Sequence, residues 1–516
     1  MGGLRIIVLG ASIVLAIGGA LAQPETPSPE VTIRRELAFL DQLDADAATN
    51  LPPDPVIAEG LGYLVVVVNR TIAVYEFDGT SVTFVEDMDL DEFYGESGEN
   101  LYDTRVVFDH YANTFVVASL RQGNKRLFVA WGGLAAGGDL LPLDQWPSID
   151  TQAGGLAYSC GGESFIGYIE EHDLGFDRTA WYVSSYLYVS PINEPKSVNL
   201  FFIIKKQDTT PTAIEIVSSA EFPGNECLVG ETGSPPIGTE TARPAIHAEQ
   251  PVHEVNEVEN VPTPYFASVI RKNTDDACAA GLHNTIRIYS IADPLDENDR
   301  TLHVADVKTS ACFDAHLWYT FIPTSDTETS ELTWSAKDAR LTGVYYRKDG
   351  ASEFLYSIHA VDDPQQGQDH RVVLRWYKIN LNGWPGDGAE SPSIAASGQI
   401  DVDDETPTHL FMPEIAVNED QEMAVVYGRS NEDESVSLWA WGRLSDGNET
   451  PQKHIETSSS DEVLHPPTNA QRLGDYYAID VDEDGETFWL IGELFRLDNG
   501  TTIWTSYGGE IEIDDQ

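Results

Sequence analysis

The chain predicts an all-β fold, a single β-propeller built of four-stranded blades. From residue 60 onward, short runs rich in β-branched and aromatic residues, such as YLVVVVN, TFVVASL, SVNLFFIIKK, TIRIYSI and VSLWAWG, alternate with turn clusters. No long amphipathic helical pattern interrupts them. A turn-centred repeat also recurs in VFDHYANTFVVAS (107–119), AVNEDQEMAVVYG (416–428) and DVDEDGETFWLIG (480–492). In each copy a strand runs into Asp109, Asn418 or Asp482, where a short polar side chain can bond its own turn backbone before the next apolar strand begins.

Taken in order, MGGLRIIVLGASIVLAIGGALAQ reads as a secretory signal over residues 1–22, with Arg5 in the basic region, an apolar core and Ala20-Leu21-Ala22 before the cut. The apolar run is too short for a membrane span. Residues 23–58 read as a linker and short N-terminal segment, in which VTIRRELAFLDQL has the spacing of one short helix. Residues 59–516 form the propeller. Inner strands are expected near residues 62, 105, 165, 244, 340, 413 and 477, at intervals of roughly 40 to 100 residues with about four strand-like runs in each. Seven blades is the preferred count, with six and eight open.

Eighty-five acidic residues against 30 basic ones give a formal net charge of -55. Such a surface repels nucleic acid and anionic membranes. Ordinary apolar and aromatic content argues against disorder, and the charge suits solubility in saline surroundings, where counterions screen self-repulsion. Four cysteines in an exported chain fit two disulfides, most simply 160 with 227 and 278 with 312. The expected location is secreted or periplasmic, and the expected state is a monomer.

Against this acidic background, arginines at the starts of inner strands stand out: Arg105 and Arg340 in Asp-x-Arg, Arg243 before Pro244, and Arg472. Innermost strands start near the mouth of a propeller's funnel, so these four could converge there and read a carboxylate or sulfate with their planar forks. The alternative is that Asp103–Arg105 and Asp338–Arg340 are blade-to-blade salt bridges. Proton-transfer candidates at the same mouth are His409, just ahead of Glu414, and Asp475 with Tyr476. His247 lies on the strand after Pro244. No G-x-S-x-G, H-E-x-x-H, phosphate loop or dinucleotide fingerprint occurs.

Asp480, Asp482, Asp484 and Gly485 begin like a calcium loop. Position 12 of an EF-hand would fall on Ile491, which excludes that motif. The run is similar to the calcium hairpin of integrin-type propellers, with Phe488 in place of the last Asp. Ca2+ on these three carboxylates and a plain acidic turn both remain open, and no other cofactor is expected.

The segments DTRVVFDHYANTFVVASL, LFMPEIAVNEDQEMAVVYG and RLGDYYAIDVDEDGETFW, followed by TTIWTSYGGEIEI, resemble a group of secreted bacterial β-propeller proteins related at fold level to sialidases. The similarity spans most of residues 60–512 and implies fold and export, with no shared activity attached. The S-x-D-x-G-x-T-W turn repeat of sialidases is absent. Three functions stay in view: a binder of an extracellular anionic ligand such as an acidic glycan, a glycan-cleaving hydrolase or lyase, and a structural surface protein.

Overall fold

The computed structural model describes residues 28–38 and 54–514, except 69, 97–100, 122–125, 152–155, 161–162, 190–195, 207–213, 219–227, 230–242, 248–263, 271–277, 279–281, 297–298, 315–320, 323–331, 334–339, 363–370, 387, 403–405, 460–473 and 499–500. The expected signal segment, Cys227 and Arg472 lie outside the described residues.

Seven four-stranded blades form a β-propeller. Blade one comprises Val56–Gly60, Tyr63–Val68, Thr71–Phe77 and Val82–Asp89. Blade two comprises Leu101–Asp109, Thr114–Arg121, Leu127–Gly133 and Ser148–Asp150. Blade three begins with Glu163–Phe176 and blade four with Arg243–Pro244. Blade five begins with Gly343–Asp349 and blade six with His409–Val417. The last blade takes Ala478–Val481, Phe488–Asp498 and Thr501–Asp514 from the C-terminal end, and Glu30–Ala38 adds its outermost strand.

That outer strand corrects the helical reading of VTIRRELA. Glu30 pairs with Asp514 and Ala38 with Tyr507, antiparallel, with a bulge between Ile33 and Arg35. Val31, Ile33, Arg35 and Leu37 alternate with more exposed neighbours, the period of a strand. The alternation was hidden because Arg35 fills an inward position, where it pairs with Glu510 and lies 4.7 Å over the Phe77 ring. The first and last stretches of chain thus share one sheet, which closes the ring.

Strands buried on both faces explain the nearly unbroken apolar runs, as in Tyr63–Val68, where five of six residues are buried. Aromatic rings lock neighbouring blades: Trp131 lies 5.6 Å from Trp181, Phe201 lies 4.5 Å from Phe266, and Trp376 lies 6.3 Å from Trp441. The polar turn slot behaves as its residue type dictates. Asp109 Oδ1 accepts the Tyr111 N–H at 3.0 Å, Asn418 Oδ1 accepts the Glu422 N–H at 2.9 Å, and Asp482 Oδ1 accepts the Asp484 N–H at 3.1 Å. A fourth copy sits in blade three, where Asp177 Oδ1 accepts the Thr179 N–H at 2.6 Å. In two of these turns the slot side chain itself also staples blades together. Asp109 Oδ2 accepts the Trp181 indole N–H of the next blade at 2.7 Å, and Asn418 Nδ2 donates to the Glu486 carbonyl at 3.3 Å. The second expected pairing holds too: Cys278 and Cys312 form a disulfide.

Candidate functional site

The innermost strands surround a small cavity of about 60 Å³, lined by residues of all seven blades, including Arg105, Asp173, Tyr345, Glu414 and Asp480. Three of its ionisable side chains occupy one repeated position, four residues ahead of the turn residue: Arg105 before Asp109, Asp173 before Asp177, Glu414 before Asn418. Ala478 holds the same position before Asp482. A β-bulge immediately precedes each of the three, between Tyr102 and Arg105, Glu170 and Asp173, and Phe411 and Glu414. Two of the bulges place a non-glycine residue in the left-handed region, Asp103 at φ 50° and Met412 at φ 48°. A bulge re-aims the side chain that follows it. Here all three of the side chains that follow a bulge line the same cavity.

Asp173 is the hub of the group. Arg105 Nε lies 3.3 Å from Asp173 Oδ1, and Arg243 Nη1 lies 3.2 Å from Asp173 Oδ2. Three blades therefore meet in one carboxylate. Arg243 is 4% exposed and also donates from Nε to the Leu341 carbonyl at 3.0 Å. The Arg105 guanidinium lies 3.4 Å over the Tyr476 ring, and the Tyr476 hydroxyl donates to the Thr104 carbonyl at 3.1 Å. Glu414 has a different character. It lines the cavity deep among the inner strands, and burial pushes its carboxyl well above the usual carboxylate range. Asp173 adds to that shift, while Arg105 and Arg243 oppose it. Burial likewise drives His172, next to Asp173 in sequence, down to about 3, so this imidazole is neutral beside the two arginines.

The sequence-predicted residues divide accordingly. Arg105, Arg243 and Tyr476 come together. Arg340 precedes the inner strand of blade five, near enough to Arg243 to disfavour its charge. Asp475 belongs to a second group at the strand-start end: its carboxylate and those of Asp54 and Asp103 lie within 4.8 Å of one another, and the Asp475 N–H donates to Asp54 Oδ1 at 2.6 Å. His409 does not line the cavity. It is 4% exposed, its Nδ1 accepts the Val372 N–H at 3.4 Å, and burial holds it down at about 4. The His247 side chain lies outside the described residues.

Asp480, Asp482 and Asp484 spend carboxylate oxygens on local donors. Asp480 Oδ1 accepts the Val481 N–H at 3.0 Å, Asp482 Oδ2 the Trp489 indole at 2.9 Å, and Asp484 Oδ1 the Glu486 N–H at 2.8 Å. Gly485 closes the turn at φ +77°. The group of three carboxylates that does converge among the described residues is the one around Asp475.

Asp173 was missed by the sequence reading, although a signal for it exists. DLGFDRTAWYV (173–183) is a further copy of the turn repeat, with Asp173 in the place of Arg105 and Glu414.

No protein-family model matches the chain, and no curated protein matches it. Among solved structures, a protein of unknown function from Dyadobacter fermentans matches at 10% identity and a TM-score of 0.38, over 94% of this chain and 100% of its own. An α-L-arabinanase of Penicillium chrysogenum, complexed with arabinobiose, matches at 11% identity and a TM-score of 0.37, over 89% and 97%. An α-L-arabinofuranosidase of Fusarium graminearum matches at 11% identity and a TM-score of 0.33, over 77% and 89%. Likenesses this distant say nothing of ligand or chemistry. Among the described residues, no helix is long and apolar enough to cross a membrane.

Proposed function

We propose that this protein is an exported binder of an extracellular anionic ligand, an acidic glycan, taken at the funnel face. The observation that carries the reading is the repeated, bulge-aimed ring position. It sets Arg105 and Arg243 against the single carboxylate of Asp173, while burial raises the Glu414 carboxyl and favours its protonated form. Two guanidinium groups thus face one carboxylate in a chain of net charge -55. A low-dielectric recess concentrates such a local field, so an anion gains most there. Asp54, Asp103 and Asp475, at the strand-start end, supply acceptors for the hydroxyl groups that accompany an acidic group on a sugar. The cavity has room for a few waters and not for a sugar ring, so the ring would sit at the mouth and only its acidic group would enter. Export rests on the signal-like leader, and the disulfide is compatible with it.

A second reading has one observation of its own. Asp173 sits between two arginines while Glu414 is held as an acid, a pairing of unlike carboxyl groups that suits general acid–base cleavage of a glycan. The test is calorimetric titration with polyuronates and sulfated polysaccharides, run beside assays for new reducing ends and for unsaturated uronates. Binding by the wild type without product is the expected result, with Arg105→Ala weakening it. If Arg105→Ala leaves every glycan interaction unchanged, the reading is wrong; product formation moves the assignment to the hydrolase or lyase.

A further inference from the structure

Glu414 has a place in the ring that the salt bridges do not use. Its Oε1 accepts the Ile415 N–H at 3.2 Å, which leaves the other oxygen to carry a proton. The side chain occupies space left open by Gly343 of blade five: a Cβ there would stand 1.8 Å from Glu414 Oε1, so any other residue would displace the carboxyl. Around it stand Arg105 of blade two, Asp173 of blade three, Arg243 of blade four, Tyr345 of blade five and Asp480 of blade seven. Both arginines are engaged by Asp173, whereas Glu414 makes no ion pair among those described.

We propose that Glu414 acts as a hydrogen-bond donor to the ligand, so that the site recognises a uronate by holding its carboxylate between the Arg105 guanidinium and the Glu414 carboxylic acid. This rests on the acidic-glycan reading and narrows it from anions in general to carboxylates. The geometry supplies what two-sided recognition needs: a fixed cation on one blade, an acid at the equivalent position of another, and a recess the size of a carboxylate between inner strands. An ionised Glu414 would repel the same ligand. The Glu414 contribution to binding is therefore level with pH while Glu414 keeps its proton and weakens once that proton is lost, by roughly tenfold per pH unit, and it is read as the difference from Glu414→Gln because Asp480 lines the same cavity in both.

The experiment is titration of wild type, Glu414→Gln and Glu414→Leu with an oligogalacturonate, from mildly acidic to alkaline pH. Glutamine keeps a neutral donor and is expected to bind as wild type does at mildly acidic pH and to weaken less than wild type at high pH, where only Asp480, raised to about 7 in the same lining, still ionises. Leucine removes the donor and is expected to lose roughly tenfold or more at every pH. A Gln variant that binds roughly tenfold tighter than wild type at neutral pH overturns the proposal, because Glu414 was then a repelling charge. Unchanged affinity in Glu414→Leu overturns it too. A readout on the unaltered protein is calorimetry in two buffers of different ionisation heat, at a pH where affinity has begun to fall. Proton uptake on binding is expected, and release overturns the idea. Loss of binding in Arg105→Ala with no effect of Glu414→Leu sinks this inference alone, whereas no uronate binding by wild type at any pH sinks the acidic-glycan reading itself.

Discussion

Glu59 offers the sharpest quantitative test of the ring's electrostatics. It lies in the inner strand of blade one, 2% exposed, and faces the last blade across the closure of the ring. Its Oε2 accepts the Glu483 N–H at 2.6 Å, and its own N–H donates to Asp480 Oδ2 at 3.2 Å. Burial first, and Asp482 next, push its carboxyl from 4.5 up to about 9. A carboxyl raised in this way holds its proton more tightly folded than unfolded. Its contribution to stability is therefore complete below pH 4.5 and is lost as pH climbs toward about 9. Between about pH 5 and about pH 8, at 1.36 kcal/mol per unit, that loss reaches at most about 4 kcal/mol. Glu59→Gln does not titrate and keeps an acceptor for the Glu483 N–H. The gap in stability between variant and wild type should therefore widen in favour of the variant by up to that amount over the interval. Asp480, itself raised to about 7, is present in both proteins, so comparing them isolates Glu59. Urea unfolding at matched ionic strength supplies the numbers. A difference between the two proteins that is the same at both pH values would refute the reasoning.

Further outcomes follow from other parts of the fold. Asp109→Ala leaves the Lys206 ammonium, 2.5 Å from the lost carboxylate, buried without its counter-charge; a loss of about 3–5 kcal/mol is expected in urea unfolding, and a loss under 1 kcal/mol would contradict it. Reducing Cys278–Cys312, which closes a loop of 34 residues, should lower stability by about 4 kcal/mol on the chain-entropy account, seen as a fall in melting temperature on adding reductant. Deleting the chain through Ala38 removes the outer strand of the last blade and bares the edge of Thr501–Asp514; light scattering should then report self-association, and a monodisperse monomer would refute that role. Calcium titration separates the two readings of the Asp480–Asp484 run. A turn held by its own N–H donors gives no shift in melting temperature at millimolar calcium, and a bound ion raises it by mass action.

The propeller was legible because its signals are local and repeated. Strand runs are set by β-branched and aromatic residues, and the turn slot by residues that bond their own backbone, so Asp109, Asn418 and Asp482 could be aligned by eye. Blade closure was not legible, because it depends on pairing Glu30 with Asp514 across the whole sequence and on one inward arginine that mimics a break in the strand pattern. The site was half legible. Unusual arginines in an acidic chain led to Arg105 and Arg243, but one of 85 acidic residues cannot be picked out by residue type alone. Asp173 needed the fourth copy of the turn repeat, counted back to the ring position. His409 carried a functional expectation because imidazole is versatile; burial against blade five makes it a packed, neutral histidine.

The ring position itself argues that its charges are kept for a reason other than stability. Ala478 occupies the same place in the last blade, so the propeller accepts a small apolar residue there. Replacing a buried ion cluster with apolar residues is often neutral or stabilising, because desolvation cancels most of the Coulombic gain. Yet blades two, three and six each insert a bulge directly before an ionisable residue, and two of the bulges hold a non-glycine residue at positive φ. Such backbone conformations cost of order 1–3 kcal/mol each and persist only where the surroundings impose them. A device that strains the backbone in order to bury charge is poor economy for a scaffold. It makes sense where those charges meet something that enters from outside, and that is why Arg105, Asp173 and Glu414, rather than the acidic run at Asp480–Asp484, are where substitution should change what the protein holds.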